Sequence, residues 1–598
     1  MIVRQELEMS CIFAFVITDK QQIKMMNKRL LNYLSTLFLS LCVVGGMGAC
    51  DSGRMANLPD MKEHTALFDF FNYRGEDDFY EQNVLLDSAS FYNPILPGWY
   101  SDPSVCRVGE DYFMVTSTFS YFPGVPIFHS KDLVNWRQVG HVLDRPSQLK
   151  LDGQHISGGI YAPAISYNPH NKTYYVVTTN VGCGNFYVKT QNPFDEWSDP
   201  VMLPEVGGID PSFFFDEDGK AYIVNNDAPI GPAEYDGHRT IQVQEFDWKN
   251  DKTVGPRKVL VNKGVHPEEK PIWIEGPHLY KINGKYFLMA AEGGTGNQHS
   301  VVVFLSDSPV GGFVPAKRNP ILTQRHLNPE RPNPITCAGH ADLVQTKEGD
   351  WWAVFLACRP INHTFENLGR ETFIMPVKWD KEGIPYMTEK DELIPMLLKR
   401  DGVKRGTEVT FGNFERNEDF SNDTLGMEWL TLRAPGTELY SLNEAPGYLR
   451  LNCAAVNASE KKTPAFIARR IQHHKFTVST RMLFDPVNES EAAGILIFKD
   501  EKHQYFLSVS KSGEKKRIAL EQVDDTIKKQ LVAEEMEKDV KDMRLKVVSK
   551  GTYFECYYAV NEGEWMTLCK NVDASHLSTT NAGGFTGTTI GMYATANR

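Results

Sequence analysis

Three kinds of signal are scarce in this chain. Paired cysteines are the first. There are ten cysteines in 598 residues and no Cys-x-x-Cys. Cys11, Cys42 and Cys50 belong to an N-terminal targeting segment, which leaves Cys106, Cys183, Cys337, Cys358, Cys453, Cys556 and Cys569. That odd set argues against a disulfide framework or a zinc site and favours small buried residues. Basic runs are the second. The net charge is -13, with no Lys/Arg cluster, which argues against nucleic acid as a partner. Long apolar runs are the third. Leu30 to Val44 is short and interrupted by Asn32 and Ser35, which argues against a transmembrane anchor.

What that segment does have is order. Asn27-Lys28-Arg29 is basic, Leu30 to Val44 is mostly apolar, and Gly46-Met47-Gly48-Ala49-Cys50 ends in small residues before a cysteine. This is a secretory pattern, with Met25 or Met26 as the expected start. It resembles a bacterial lipoprotein signal cleaved before Cys50. The resemblance implies an exported protein, periplasmic or at the cell surface, whose one link to a membrane is a lipid on Cys50. Residues 1–50 are then signal, and the polar stretch 51–87 is expected to be a tether.

From Asn93 onward an acid-and-proline arrangement recurs. Asp102-Pro103 precedes an apolar run, as do Asp210-Pro211, Glu275-Gly276-Pro277 and His340-Ala341-Asp342; the second copy is Ala162-Pro163. A turn and an aromatic strand follow at Tyr112, Tyr222, Tyr286 and Trp351. The units are spaced roughly 45 to 65 residues apart, and an all-β chain with that period is expected to be a five-bladed propeller. Equivalent places near its axis would then hold Asp102, Asp210, Glu275 and His340. Asp-Pro alone is ordinary turn chemistry. Yet a propeller needs no acid there, as Ala162 shows, and converging carboxylates push one another's pKa values apart.

These motifs carry a resemblance. NPILPGWYSDPS, GGIDPSFFFDEDGK and IEGPHLYKINGKYF, with SKDLVNW, SGGIYAPAISY, GHADLV and LGRETF, resemble glycoside hydrolase family 43 from about Tyr92 to Trp379. The family's members are five-bladed propellers acting as β-xylosidases, α-L-arabinofuranosidases and arabinanases. The resemblance implies that Asp102 is the general base, Glu275 the general acid, and Asp210 the carboxylate that raises the pKa of Glu275 and orients it. It implies inversion, with the Asp102 and Glu275 carboxyls about 6.5–9.5 Å apart to admit water. It gives Arg370 a contact with sugar hydroxyls and His340 a water-ordering role. Some relatives hold calcium there, so a structural calcium is the one possible cofactor and none is required. Trp99, Phe119 and Tyr161 are the expected sugar-stacking aromatics. Tyr161 stands where tryptophan is usual, and Ala164 where an acid or cysteine is common.

Near Arg400 the repeats stop and alternating strands continue, as in Phe476/Val478/Thr480/Met482/Phe484. Residues 88–400 are thus assigned to the propeller. Residues 401–598 are assigned to a β-sandwich of concanavalin or jelly-roll type, resembling the domain that accompanies one family branch. Phe585, in Gly583-Gly584-Phe585-Thr586-Gly587, resembles the sandwich residue that reaches the active site. The expected function is removal of a terminal β-D-xylose or α-L-arabinofuranose from hemicellulose or pectin-derived oligosaccharides. The alternatives are an endo-arabinanase, which needs an open groove, and a non-catalytic glycan-binding surface lipoprotein.

Overall fold

The computed structural model describes residues 59–598. The expected signal segment and Cys50, the expected site of a lipid, lie outside the described residues. Everything from Met61 to Arg598 is one compact unit. Its regular secondary structure is almost wholly strand, with helices of a single turn such as Asp78–Gln82. Among the described residues no helix is long and apolar enough to cross a membrane.

Five antiparallel sheets follow one another in the first part of this unit. Their first strands are Ser104–Val108, Ile160–Asn168, Ile209–Phe215, Glu275–Ile282 and Thr336–Gln345. Successive residues of a strand face opposite sides, and the sequence loads both sides with apolar groups. In the second sheet, Tyr174 and Val176 pack toward the first sheet with Phe113 and Ile127. Tyr175 and Val177 pack toward the third with Phe213 and Phe246. The core of this part is therefore the set of layers between sheets.

The first strands are tied to one another by side chains. Ile165 N–H donates to Ser104 Oγ at 3.0 Å, and Ser166 Oγ donates to the Phe213 carbonyl at 3.0 Å. Ser212 Oγ donates to the Pro277 carbonyl at 2.5 Å, and Tyr280 Oη donates to Asp342 Oδ1 at 2.7 Å. Asp342 Oδ2 then accepts from Ser104 Oγ at 2.7 Å and from Val105 N–H at 2.9 Å. The fifth sheet is thereby tied back to the first.

The second part holds two larger sheets packed face to face around Phe68, Val478, Leu507 and Ile590. One contains six strands from Ala465–Arg470 to Thr589–Thr595. The other corrects the expected tether. Thr65–Gly75 is an interior strand of that sheet, between Leu449–Asn452 and Lys475–Phe484. The stretch TALFDFFNYRG buries Phe68, Phe71 and Tyr73 in the sandwich core. Its aromatics, hidden among polar neighbours, outweigh the polar average that suggested a tether. The seven described cysteines are free thiols, and the expectation of burial holds for Cys337, Cys358 and Cys556, whereas Cys106, Cys453 and Cys569 are half-buried and Cys183 is exposed.

Candidate active site

The acid-bearing positions share one backbone feature. Asp102, Ala162, Asp210 and His340 have φ of 52, 35, 55 and 49°, and Gly276, just after Glu275, has 56°. Aspartate and histidine tolerate this left-handed region better than most residues, while for alanine it costs about 1–2 kcal/mol. In four of the five strands the pairing register shifts at this point, for example between Ile209 and Ser212 and between Glu275 and His278. Such a bulge re-aims a side chain. Here it turns the acids out of the ladder and toward a common cavity.

That cavity measures about 470 Å³, and its lining includes Asp102, Asp210, Glu275, His340 and Arg370. Asp102 is buried. Its Oδ1 lies 3.3 Å from an Arg370 guanidinium nitrogen and 3.8 Å from His340 Nδ1, and its Oδ2 accepts from Ser117 Oγ at 2.6 Å. Burial pushes this carboxyl up, but Arg370, His340 and the Ser117 hydroxyl more than offset it, and Asp102 stays below the usual aspartate value. Asp210 behaves oppositely. Burial and the charge of Asp102 push it up to about 7, against the Gly276 N–H that it accepts at 3.1 Å. Glu275 is raised well above the usual glutamate value by burial and by the Asp210 charge. One acid is therefore ionised and another protonated near neutral pH.

Most of the residues singled out in the sequence come together at this cavity. Phe119, Tyr161 and Phe585 all line the cavity. Phe119 and Phe585 stack with centroids 6.2 Å apart, and Tyr161 meets both edge-on. Arg370 lies 5.2 Å from the Phe585 ring centroid. It does not pair with Glu371, which is gripped instead by Arg359 at 2.7 and 2.9 Å.

Trp99 is the exception. It is fully buried and absent from the cavity wall, with the Arg470 guanidinium of the sandwich 4.1 Å from its ring centroid. The expectation that it stacks on sugar is corrected: Trp99 packs beneath Phe119 and Tyr121.

Phe585 reaches the cavity through glycines. A Cβ on Gly369 would meet the Gly587 nitrogen at 2.6 Å, and one on Gly587 would meet the Leu368 carbonyl oxygen at 2.3 Å. The two loops touch backbone to backbone, so each needs glycine there. Phe585 N–H donates to Ser157 Oγ at 2.9 Å.

Sequence reasoning missed Ser117, His299, Arg239 and Asn226. His299 is buried with its pKa lowered to about 3, so its ring is neutral; its Nδ1 lies 2.9 Å from the Cys337 carbonyl. None of these residues stands in a repeated motif, so no pattern announced them. His340 is likewise lowered to about 4 by burial and is neutral. Its surroundings match direct calcium ligation poorly. Calcium takes six to eight oxygens, whereas His340 meets one carboxylate, Asp102, that Arg370 already faces.

The pKa order predicts a bell-shaped profile of kcat/KM. Activity rises with pH as Asp102 ionises, below the usual aspartate range, and falls above neutrality as the Asp210–Glu275 pair loses its proton. In Asp210→Asn the negative charge that raises Glu275 is gone, so the falling limb moves to lower pH. A limb that stays in place would remove that role from Asp210.

An ionised carboxylate and a protonated one facing a single solvent-accessible cavity are the equipment of a glycoside hydrolase. Comparison with known proteins agrees. Residues 91–385 match the model for glycosyl hydrolases family 43, and residues 417–598 match the beta-xylosidase C-terminal concanavalin A-like domain. The chain is 37% identical over 536 residues to the non-reducing end alpha-L-arabinofuranosidase BoGH43B of Bacteroides ovatus, covering 86% of this chain and 93% of the relative. It is 36% identical over 515 residues to a xylosidase/arabinosidase of Butyrivibrio fibrisolvens, covering 84% and 96%. It superimposes on the crystal structure of a GH43_12 protein retrieved from a capybara gut metagenome with a TM-score of 0.84 at 41% identity, covering 89% and 100%. The chain belongs to glycoside hydrolase family 43.

Proposed function

We propose that the protein removes one terminal pentose, β-D-xylose or α-L-arabinofuranose, from the non-reducing end of hemicellulose or pectin-derived oligosaccharides, with inversion. The names of the relatives support the pentose. The observation that carries exo action is Phe585, which the second domain inserts into the cavity wall. A groove for an endo-arabinanase would have to run through that residue. In this reading Asp102, ionised, takes a proton from water as it attacks the anomeric carbon. Glu275 gives its proton to the departing oxygen. Asp210 keeps Glu275 protonated until then, and Arg370 and His340 hold sugar hydroxyls and water.

The five tied sheets support a five-bladed propeller around this site. A calcium ion beside His340 would be held through water. The signal segment supports an exported lipoprotein.

The test is turnover by the protein from Asp51 onward. Initial rates on p-nitrophenyl β-D-xyloside and p-nitrophenyl α-L-arabinofuranoside are compared, with Asp102→Asn as control. Turnover of one or both, lost in the control, is expected, and their ratio names the sugar. Turnover of neither, with cleavage of internal bonds in a polymer, would overturn the exo reading.

A further inference from the structure

One group in the cavity wall touches the chemistry above only through its charge: Arg239 lowers Glu275, against the burial and the Asp210 charge that raise it. Arg239 lines the cavity and is half-buried. Its guanidinium lies over Trp273, 4.1 Å from the ring centroid. Among the described residues no carboxylate pairs with it and no acceptor takes its side-chain N–H groups. The other cavity arginine, Arg370, faces Asp102 at 3.3 Å. A guanidinium offers a rigid fork of five donors, and leaving them without acceptors while partly withdrawn from water is unfavourable.

The platform beneath it is held in a costly conformation. Trp273 has φ 52°, an outlier for a bulky aromatic. Its N–H donates to the Gly237 carbonyl at 2.9 Å, and Tyr235 Oη donates to the Pro271 carbonyl at 2.7 Å. Backbone strain of this kind persists where surrounding contacts enforce it, and it gathers at ligand clamps.

The position says which part of a substrate would meet it. Trp273 is two residues before Glu275 on the same segment, whereas Arg370 sits on Asp102. The acid protonates the bridging oxygen and the base works on the opposite face of the sugar. Groups beside the acid therefore face the leaving group.

We propose that Arg239, carried on Trp273, binds the leaving-group sugar, its guanidinium donating to hydroxyls of the ring next to the cleaved bond. The proposal rests on the exo-glycosidase reading and adds a second recognised sugar to it. The enzyme would then select its substrate by the aglycone as well as by the terminal pentose.

The test compares two substrates that share a terminal sugar. One is a disaccharide, β-1,4-xylobiose or its α-L-arabinofuranosyl counterpart. The other is the glycosyl fluoride of the same sugar and anomer, whose leaving group is too small to touch Arg239. Arg239→Ala is expected to lower kcat/KM about 10–100-fold on the disaccharide, mostly through KM, and less than about 3-fold on the fluoride. Arg239→Lys, which keeps the charge without the fork, should fall between wild type and Arg239→Ala. Activity on the fluoride also reports that each variant is folded. Equal losses on both substrates, no loss on the disaccharide, or a loss carried by kcat with the falling limb of the pH profile displaced, which would mark an effect through Glu275, would overturn the proposal while the exo reading stands. A wild-type enzyme that turns over neither substrate would overturn both.

Discussion

Glu275→Gln loses about 10²–10⁴-fold in kcat/KM on an unactivated disaccharide, the usual worth of a positioned general acid. It keeps most of its rate on a glycosyl fluoride or dinitrophenyl glycoside, whose leaving group departs without a proton. The expectation follows from the surroundings of Glu275. Burial and Asp210 hold its proton above the usual range, so at neutral pH it is a donor. The substitution keeps the shape and removes the proton that can be given away. Its profile should also lack the falling limb, because the group that titrates there is gone. Equal losses on activated and unactivated substrates would take the acid role from Glu275.

Asp102→Asn behaves differently. It loses about 10²–10⁴-fold or more on both kinds of substrate, because water must be activated whatever the leaving group. The amide can still accept from Ser117 Oγ, so local geometry is expected to persist. What disappears is the charge that Arg370 faces at 3.3 Å. Circular dichroism and thermal unfolding would separate this from misfolding. A variant that retains wild-type rates on either substrate would show that another group activates the water.

Much of this arrangement was legible because the fold repeats. Equivalent places in a repeat ought to need equivalent residues, so acids at some of them and alanine at another marked a function laid over a scaffold. The backbone explains why the same short pattern returns: Asp102, Asp210 and His340 are left-handed residues, as is Gly276 after Glu275, and all but Asp102 lie at a register shift. Groups outside the repeat gave no such signal. Arg239 and Trp273 are 34 positions apart and meet across two loops, and Ser117 looks like any serine in a polar run. Trp99 misled for a related reason. Its neighbour Asp102 faces the cavity, but the turn between them sends the indole into the packing between the two parts of the unit. The strand Thr65–Gly75 was missed because its partners are distant in sequence and its local pattern is mixed.

That strand changes what counts as a separable piece. Thr480, whose hydroxyl donates to the Phe70 carbonyl, is 410 positions away from it. The catalytic sheets are thus an insertion within the sandwich rather than a module placed before it. A chain emerging from the ribosome presents this strand early and must keep it unpaired until its first partner, Glu415–Glu418, has been made. A shortened gene beginning at residue 88 would leave a vacant slot between Leu449–Asn452 and Lys475–Phe484, in the very layer that steadies the domain delivering Phe585. Conversely, a protease nick anywhere between the strand and the first sheet would leave the two ends clasped, and the pocket wall in place.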